Sequence, residues 1–213
     1  MSKTLDTFFP LLVPEIPGAP LILLRKALLN AAIDFCERSF VWLETQAAYT
    51  VTSASADYDF TTTTAGIVHQ LRSAELDGTP LDVVTREFAD RYFPGWRPGA
   101  TTTFTGVQAI TQTDPTSFRL IYTPAQDGEL VLEVAYKPTR TATVLPDILY
   151  DEYEEAMVCG AAARLLVMNN VPWTNPQAAA IHAGRFKEMY EGANLRQSRA
   201  FGRVPLRVDG QFQ

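Results

Sequence analysis

After a Pro-Gly turn at 17–20, apolar residues recur every three or four positions, and this spacing predicts a long first helix. They form two rows and leave only a narrow polar strip between them. A helix with so much apolar surface has to be covered on more than one side. A sheet can cover one side, while the other requires further helices or a neighbouring subunit. The two rows are Leu21, Leu24, Leu28, Ala31, Phe35 and Trp42, and Ile22, Leu29, Ile33, Cys36 and Phe40.

The middle of the chain, residues 45–143, has the composition of a β-rich module. It holds 20 of the 23 threonines together with many Val, Ile, Tyr and Phe residues, which favour strands. Asp77-Gly78 is a strong tight-turn signal, and residues 85–90 read as a short helix. Short strands separated by turns predict an antiparallel sandwich or barrel-like sheet. The predicted strands are 48–51, 58–62, 66–75, 81–84, 104–111, 117–122 and 130–136.

Two further helices are predicted in the Ala-rich segment 144–196. The first begins near Pro146, with an acidic run in its first turns that suits the positive end of the helix dipole. The second has Asn175 as its N-cap and Pro176 at its first helical position. The acidic run includes Asp151, Glu152, Glu154 and Glu155. Close helix packing is predicted from the small residues Ala156, Gly160 and Ala163. The predicted apolar face of the last helix consists of Ile181, Phe186, Met189, Tyr190 and Leu195.

The C-terminal end is basic in an otherwise acidic chain. From residue 196 onward, four arginines stand against Asp209 alone, a local balance of +3. Gly and Pro residues prevent one long helix, and an extended basic segment of this kind more often reaches another chain than adds to its own core. The predicted docking residues of this tail, 197–213, are Arg199, Phe201, Arg203, Val204, Leu206 and Arg207.

These elements predict an α+β fold, in which an antiparallel helical bundle from the N- and C-terminal segments carries an inserted antiparallel β-rich module. The predicted units are an N-terminal arm and first bundle helix (1–44), the β-rich insertion (45–143), the C-terminal bundle helices (144–196) and the tail (197–213).

Composition narrows the functional classes. The chain has 213 residues, 46% of them hydrophobic, which excludes full disorder. Its net charge is 18 − 24 = −6, so no basic face for sequence-general nucleic-acid binding or for an anionic membrane is indicated. The most apolar stretch, 20–32, is interrupted by charges and is too short to span a bilayer, and the N-terminus does not have the pattern of a signal peptide.

The sequence offers no catalytic, cofactor-binding or metal constellation, and it therefore predicts a protein that is not an enzyme. His69 and His182 lack partners at metal-ligand spacing. Cys36 and Cys159 sit in apolar helical patterns and are interpreted as small buried thiols. Four further candidates have simpler interpretations: Asp57 and Asp59 as a solvated strand face, Trp96 as loop packing rather than a stacking platform, and Trp173 as a staple at the entry of the last helix.

The residues resemble bacteriophage head-to-tail adaptor (connector) proteins of the tail tubular protein A type. The N-terminal match is the Pro-Gly turn and a helix that carries Arg and ends in Phe35-Cys36-Glu37-Arg38 and Trp42. The C-terminal match is the stronger one, and the order of elements agrees over nearly the whole chain. It comprises Tyr122-Thr123-Pro124, Tyr136-Lys137-Pro138, Leu145-Pro146-Asp147, the segment 153–166, Pro172-Trp173-Thr174-Asn175-Pro176, Phe186 and Tyr190.

The resemblance implies a structural virion protein, assembled in the host cytoplasm and placed in the neck of the particle. Such proteins form a homo-oligomeric ring, commonly of about twelve copies in closed symmetry, below the portal protein. The ring extends the DNA channel and provides a platform for a tail or nozzle protein, and the C-terminal segments often dock onto the portal. A net acidic lining formed by the run at 151–155 would let DNA pass without binding.

Three alternatives remain open from the sequence. A tail terminator or tail-completion protein would share the ring but bind tail protein rather than portal. A carbohydrate-binding β module would need an exposed aromatic platform, for which Trp96, Tyr92 and Phe93 are the candidates. A hydrolase would need a nucleophile and a base, and no such pair is apparent. The loops at 61–64 and 94–98 are candidate contacts for the tail.

Overall fold

A computed structural model describes residues 2–53, 55–61, 65–97 and 105–199, and in these ranges the chain forms an α+β fold with six α-helices and a curled mixed sheet. The helices are α1 (Phe9–Glu15), α2 (Leu21–Ser39), α3 (Arg86–Tyr92), α4 (Asp147–Asp151), α5 (Glu154–Leu166) and α6 (Pro176–Arg199). The strands are β1 (Ser2–Thr4), β2 (Leu43–Thr45), β3 (Tyr49–Val51), β4 (Asp57–Asp59), β5 (Gly66–Leu76), β6 (Thr79–Val83), β7 (Ala109–Gln112), β8 (Ser117–Ile121), β9 (Gly128–Pro138) and β10 (Val144–Pro146).

The main sheet has the strand order β2-β9-β5-β6-β7-β8-β4, and β3 pairs with β9 beyond the end of β2. Its pairings are antiparallel except for the short parallel contact between β6 and β7. The prediction of a purely antiparallel module is therefore wrong at this point. The physical reason is the connection: the chain leaves β6, forms α3 and returns beside β6 in the same direction, as a crossover does.

The hairpin between β5 and β6 turns at the predicted residues. Asp77 and Gly78 both have positive φ values, 50° and 75°. Two successive left-handed residues make the type I′ turn whose twist matches that of paired strands. β5 also pairs with β9 along most of its length, with two register irregularities. The turn and this long ladder together fix the centre of the sheet.

Helix α2 lies between the sheet and the other long helices. It packs against β9 on one side and against α5 and α6 on the other. Leu28 and Phe35 are completely buried, whereas Leu21 and Ile22, in the first turn, are 57% and 75% exposed. The second cover that the sequence required is thus supplied chiefly by further helices of the same chain. The antiparallel arrangement of these helices as a bundle stays a prediction, as do the domain limits.

The three long helices approach most closely at Gly160. A Cβ atom built at this residue would lie 2.7 Å from Cε2 of Phe186 on α6 and 2.9 Å from Cβ of Ala31 on α2. Both distances are shorter than van der Waals contact, so only a residue without a side chain fits. Arg164, one turn later on α5, holds the same junction from outside. Its guanidinium donates to Asp34 on α2 at 2.7 Å and lies over the Phe186 ring.

Several C-terminal features differ from the sequence prediction. One continuous helix was predicted from Pro146, but the chain breaks between α4 and α5 at Glu152 and Tyr153, where the φ angles reach −115° and −130°. Tyr153 is buried at this break and its ring packs 5.0 Å from that of Phe35. The tertiary contact of the aromatic ring thus accompanies the loss of helical continuity.

The buried face of α6 also differs from the predicted one. Phe186 is buried and Met189 and Tyr190 are half-buried, but Ile181 and Leu195 are 55% and 49% exposed. The buried line instead continues through alanines, Ala179 and Ala193. These small residues sit at the same helical face as Phe186 because seven positions make about two turns. The N-cap is confirmed, since Asn175 Oδ1 accepts a hydrogen bond from the Ala178 amide at 3.1 Å.

The turn between β7 and β8 depends on one carboxylate. Asp114 Oδ1 accepts hydrogen bonds from the backbone amides of Thr116 and Ser117 at 2.7 and 2.9 Å. The hydroxyl groups of the same two residues also donate to this carboxylate. These hydrogen bonds, led by the Thr116 side chain, lower the pKa of Asp114 to about 2.

We expect Gly160→Ala to destabilise the protein although alanine is the better helix former. The propensity gain is about 1 kcal/mol, and overpacking a tight core costs about 1–3 kcal/mol. Gly192→Ala on α6 is the matched control, because a Cβ there meets nothing within 4 Å. That variant should be stabilised by up to about 1 kcal/mol. Urea unfolding measures both, and a Gly160→Ala variant as stable as Gly192→Ala would contradict the close approach.

We expect Asp114→Ala to lower the urea midpoint at neutral pH and to lose this effect in acid. The folded-state pKa of about 2 lies below the ordinary value of 3.8, so the stabilisation is present above about pH 4 and lost as the pH falls towards 2. Urea unfolding at pH 7 and near pH 3 measures the difference between the two proteins. Asp82→Ala, an exposed strand position, is the control, and a pH-independent difference would show that the carboxylate charge is not involved.

Candidate assembly surfaces

The acidic run lies where α4 ends and α5 begins. Asp151, Glu152 and Glu155 are exposed, and Glu154 is half-buried. Glu152 is engaged within the chain, since Arg196 on α6 donates to its carboxylate at 2.9 Å. We call this surface the acidic patch. It consists of the exposed Asp151 and Glu155, next to the ion pair between Glu152 and Arg196.

A shallow groove of about 300 Å³ separates the start of α5 from the last turns of α6. Tyr153 lies in the wall of this groove, and burial raises the pKa of its hydroxyl group. The guanidinium of Arg196 lies over the Tyr153 ring, 5.8 Å from its centroid, and bridges the groove to the acidic patch. The groove is lined by Glu152, Tyr153, Glu155, Ala156, Met189, Gly192, Ala193 and Arg196.

The last helix carries the chain out of this region. Gln197 Nε2 donates to the carbonyl of Val41 at 3.2 Å, which ties the end of α6 to the segment that follows α2. α6 extends to Arg199, so the first three residues of the predicted extended tail are helical. The other predicted docking residues lie outside the described residues: Phe201, Arg203, Val204, Leu206 and Arg207.

The small residues of α5 lie in the interior of the helix layer. Ala156 is buried, Gly160 is the point of closest approach, and Ala163 is half-buried. They shape the core and expose little surface to a partner. Gly160 packs against α2 and α6 of the same chain, and a packing role for Ala156 and Ala163 stays a prediction.

The histidines and cysteines do not form a reactive group. His69 stacks on Phe40, 5.8 Å between ring centroids, and burial together with the nearby Lys137 charge lowers its pKa. His182 lies 3.5 Å from Glu15. Cys36 and Cys159 are buried free thiols, as predicted, and burial raises the pKa of each. Among the described residues no group of acids, His or Cys has the arrangement of a metal site.

The loop after α3 places its tryptophan inside rather than on the surface. Trp96 is 7% exposed, and its Nε1 donates to Asp90 at 3.0 Å. The loop-packing interpretation is confirmed for this residue, and the aromatic platform loses its central member. Pro98 and residues 62–64 of the other candidate loop lie outside the described residues.

Helix α3 carries an exposed aromatic pair, of which the sequence analysis named Tyr92 as a candidate and missed Phe88. The rings of Phe88 and Tyr92 lie 4.4 Å apart and are 46% and 58% exposed. Their spacing of four residues in a short predicted helix was the available signal, because such residues are neighbours on a helix surface.

The paired carboxylates of β4 point to an ion pair rather than to acid–base chemistry. Asp57 and Asp59 are both exposed, as the interpretation of a solvated strand face expects, and Asp57 accepts two contacts of 2.6 Å from Arg119 on β8. Trp173 packs partly buried against the main core before α6, which agrees with its predicted position at the helix entry.

Comparison with protein-family models identifies the family of this chain. A family model described as SU10 adaptor protein matches residues 11–209, nearly the whole chain. The match confirms the resemblance to phage head-to-tail adaptor proteins at the level of the family. A search of curated proteins found no match.

None of the described helices combines the length and the hydropathy needed to cross a membrane.

Proposed function

Because the chain belongs to the SU10 adaptor protein family, we propose that it is a head-to-tail adaptor that forms a ring below the portal of a phage capsid. Membership by itself indicates a phage structural protein, a virion component that contacts other capsid or tail components. The proposal adds that the ring extends the DNA channel and offers the tail its attachment platform. The observation that carries it is the extent of the family match, 11–209, which includes both helical segments and the β strands between them.

The proposed ring is a closed homo-oligomer of about twelve copies, in which each copy uses two different surfaces to meet its neighbours. Other elements of the same chain cover α2 except at its first turn. The contacts between copies therefore fall on peripheral surfaces. The exposed apolar residues near the start of α2, Leu21 and Ile22, and the α3 pair Phe88 and Tyr92 are available for such contacts.

The proposed portal contact is the C-terminal arm, defined as residues 200–213. It follows α6 directly, and its two arginines, Arg203 and Arg207, alternate with apolar residues. Basic side chains give a contact that is sensitive to salt, while the apolar ones contribute area.

The acidic patch is proposed to face the DNA channel. Asp151 and Glu155 are exposed, and the chain carries a net charge of −6. Like charge keeps a phosphate backbone from adhering to the wall. The repulsion acts within about 10 Å at 0.1 M salt, so it matters only for groups that line a narrow passage.

Deletion of 200–213 should abolish portal binding and leave the urea midpoint unchanged, because an extended basic segment with Gly and Pro residues adds little to a core. Arg203→Gln with Arg207→Gln should weaken binding by about tenfold or more and make it less sensitive to salt. The matched control is Arg185→Gln with Lys187→Gln, two exposed positions on α6. Pull-down and light scattering with purified portal and, separately, with tail protein measure the outcome. Normal portal binding by the truncated chain would contradict the arm assignment.

Asp151→Asn with Glu155→Gln should slow DNA ejection from assembled particles at low ionic strength, since the wall then repels phosphate less. Glu152 is left unchanged because it pairs with Arg196. The difference should shrink as salt is added. Asp82→Asn with Glu188→Gln, two exposed acids elsewhere, is the matched control. If the variant particle ejects DNA as fast as the unmodified particle, the proposal that the acidic patch faces the channel is contradicted.

A further inference from the structure

Three arginines from separate parts of the chain line one pocket on the β-rich side of the molecule. Arg86 begins α3, Arg97 follows the Trp96 loop, and Arg119 lies in β8. The pocket has a volume of about 310 Å³ and opens to solvent. Its remaining lining residues are Asp57, Trp96 and Thr113. We call it the arginine pocket.

Arg119 forms the fixed floor of the arginine pocket. Its side chain is only 11% exposed. Nε donates to the Trp96 carbonyl at 3.0 Å, and Nη1 lies 2.6 Å from both carboxylate oxygens of Asp57. The guanidinium is therefore held in one orientation before any partner arrives, which reduces the entropy that binding has to overcome.

The other two guanidinium groups are held at the rim. Arg97 makes a bidentate pair with Asp90, at 2.8 and 2.6 Å, and its guanidinium lies 5.7 Å from the Trp96 ring centroid. Arg86 donates from Nη2 to the Thr113 carbonyl. A guanidinium has five N–H donors, and these contacts leave some of them on each arginine without a recorded partner among the described residues.

We propose that the arginine pocket binds the carboxylate of a glutamate or aspartate side chain presented by another protein chain. Planar guanidinium groups match carboxylates in two-point contacts. Arg97 already holds Asp90 in this way, whereas Arg119 contacts Asp57 through Nη1 and Arg86 contacts the Thr113 carbonyl. The inference deepens the adaptor proposal and rests on it only for the statement that the partner is a virion protein.

The pocket suits a protein carboxylate better than the phosphates of DNA. Its three arginines stand against Asp57 in the lining and against Asp90 beside Arg97, a local balance of 3 − 2 = +1. The whole chain is acidic, which disfavours a long polyanion but not a single side chain. A volume of about 310 Å³ accommodates an amino-acid side chain but not the backbone of a DNA duplex.

The test uses the full-length chain and glutarate as the probe, at constant ionic strength maintained with sodium chloride. The reporter is the indole N–H resonance of Trp96, assigned from the spectrum of Trp96→Phe. We expect a saturable shift with a dissociation constant on the order of 1 mM. Arg86→Ser with Arg97→Ser should weaken glutarate binding by about tenfold or more, while Arg140→Ser with Arg185→Ser, two exposed arginines elsewhere, should leave it unchanged.

Inorganic phosphate and a short DNA duplex are titrated in parallel arms, and weaker binding of both supports the proposal. A non-saturable glutarate shift, an unchanged affinity in the pocket variant, or duplex or phosphate binding at least as tight as that of glutarate would overturn it. Portal binding by the same variants is measured separately. If glutarate does not bind but the chain binds portal normally, only this inference is rejected. If glutarate binds saturably to a chain that does not assemble, only the adaptor role is rejected.

Discussion

The burial of α2 on two sides is the constraint on which the rest of the fold depends. Its apolar residues surround most of the helix, so a single covering layer would leave several of them in water. The sheet covers one side through β9, and α5 with α6 cover the other. These elements lie far apart in sequence, so the chain has to leave α2, build the sheet and return before the helix is buried. The main core consequently runs from Leu5 to Ala193, and a smaller separate cluster includes Ala89 of α3 and Trp96.

Apolar contact supplies most of the energy at this junction, and the polar contacts fix its geometry. Full burial of Leu28 or Phe35 contributes about 1.5–3 kcal/mol each. The ion pairs Asp34–Arg164 and Glu37–Lys137 join α2 to α5 and to β9 at 2.7 and 2.6 Å. Partly exposed pairs of this kind are worth about 1 kcal/mol or less, so they orient the helix rather than hold it. Gly160 permits the close approach of the helices, because a Cβ atom there would lie 2.7 Å from Cε2 of Phe186 and 2.9 Å from Cβ of Ala31.

Local signals in the sequence predicted the local parts of this structure. The Asp77-Gly78 turn and the Asn175 cap need only neighbouring residues, and both are present. Features set by distant contacts were not predictable in the same way. β1 pairs with β10 across more than a hundred residues, and the break before α5 coincides with the burial of Tyr153 against Phe35. Only three-dimensional packing brings Arg119 next to the Trp96 loop.

A core that is complete within one chain moves the sites of assembly to the periphery. The acidic patch lies on α4 and α5, which pack on the helices and on the β1–β10 pair, whereas the arginine pocket lies on α3, β4 and β8 at the other end of the strand order. The two surfaces have opposite sign and share no element. Separate, differently charged surfaces let one chain meet unlike neighbours without mixing their contacts, since a like-charged approach at either surface is repelled. In the proposed adaptor role the two surfaces meet different neighbours, and their separation follows from the way the sheet and the helices divide around α2.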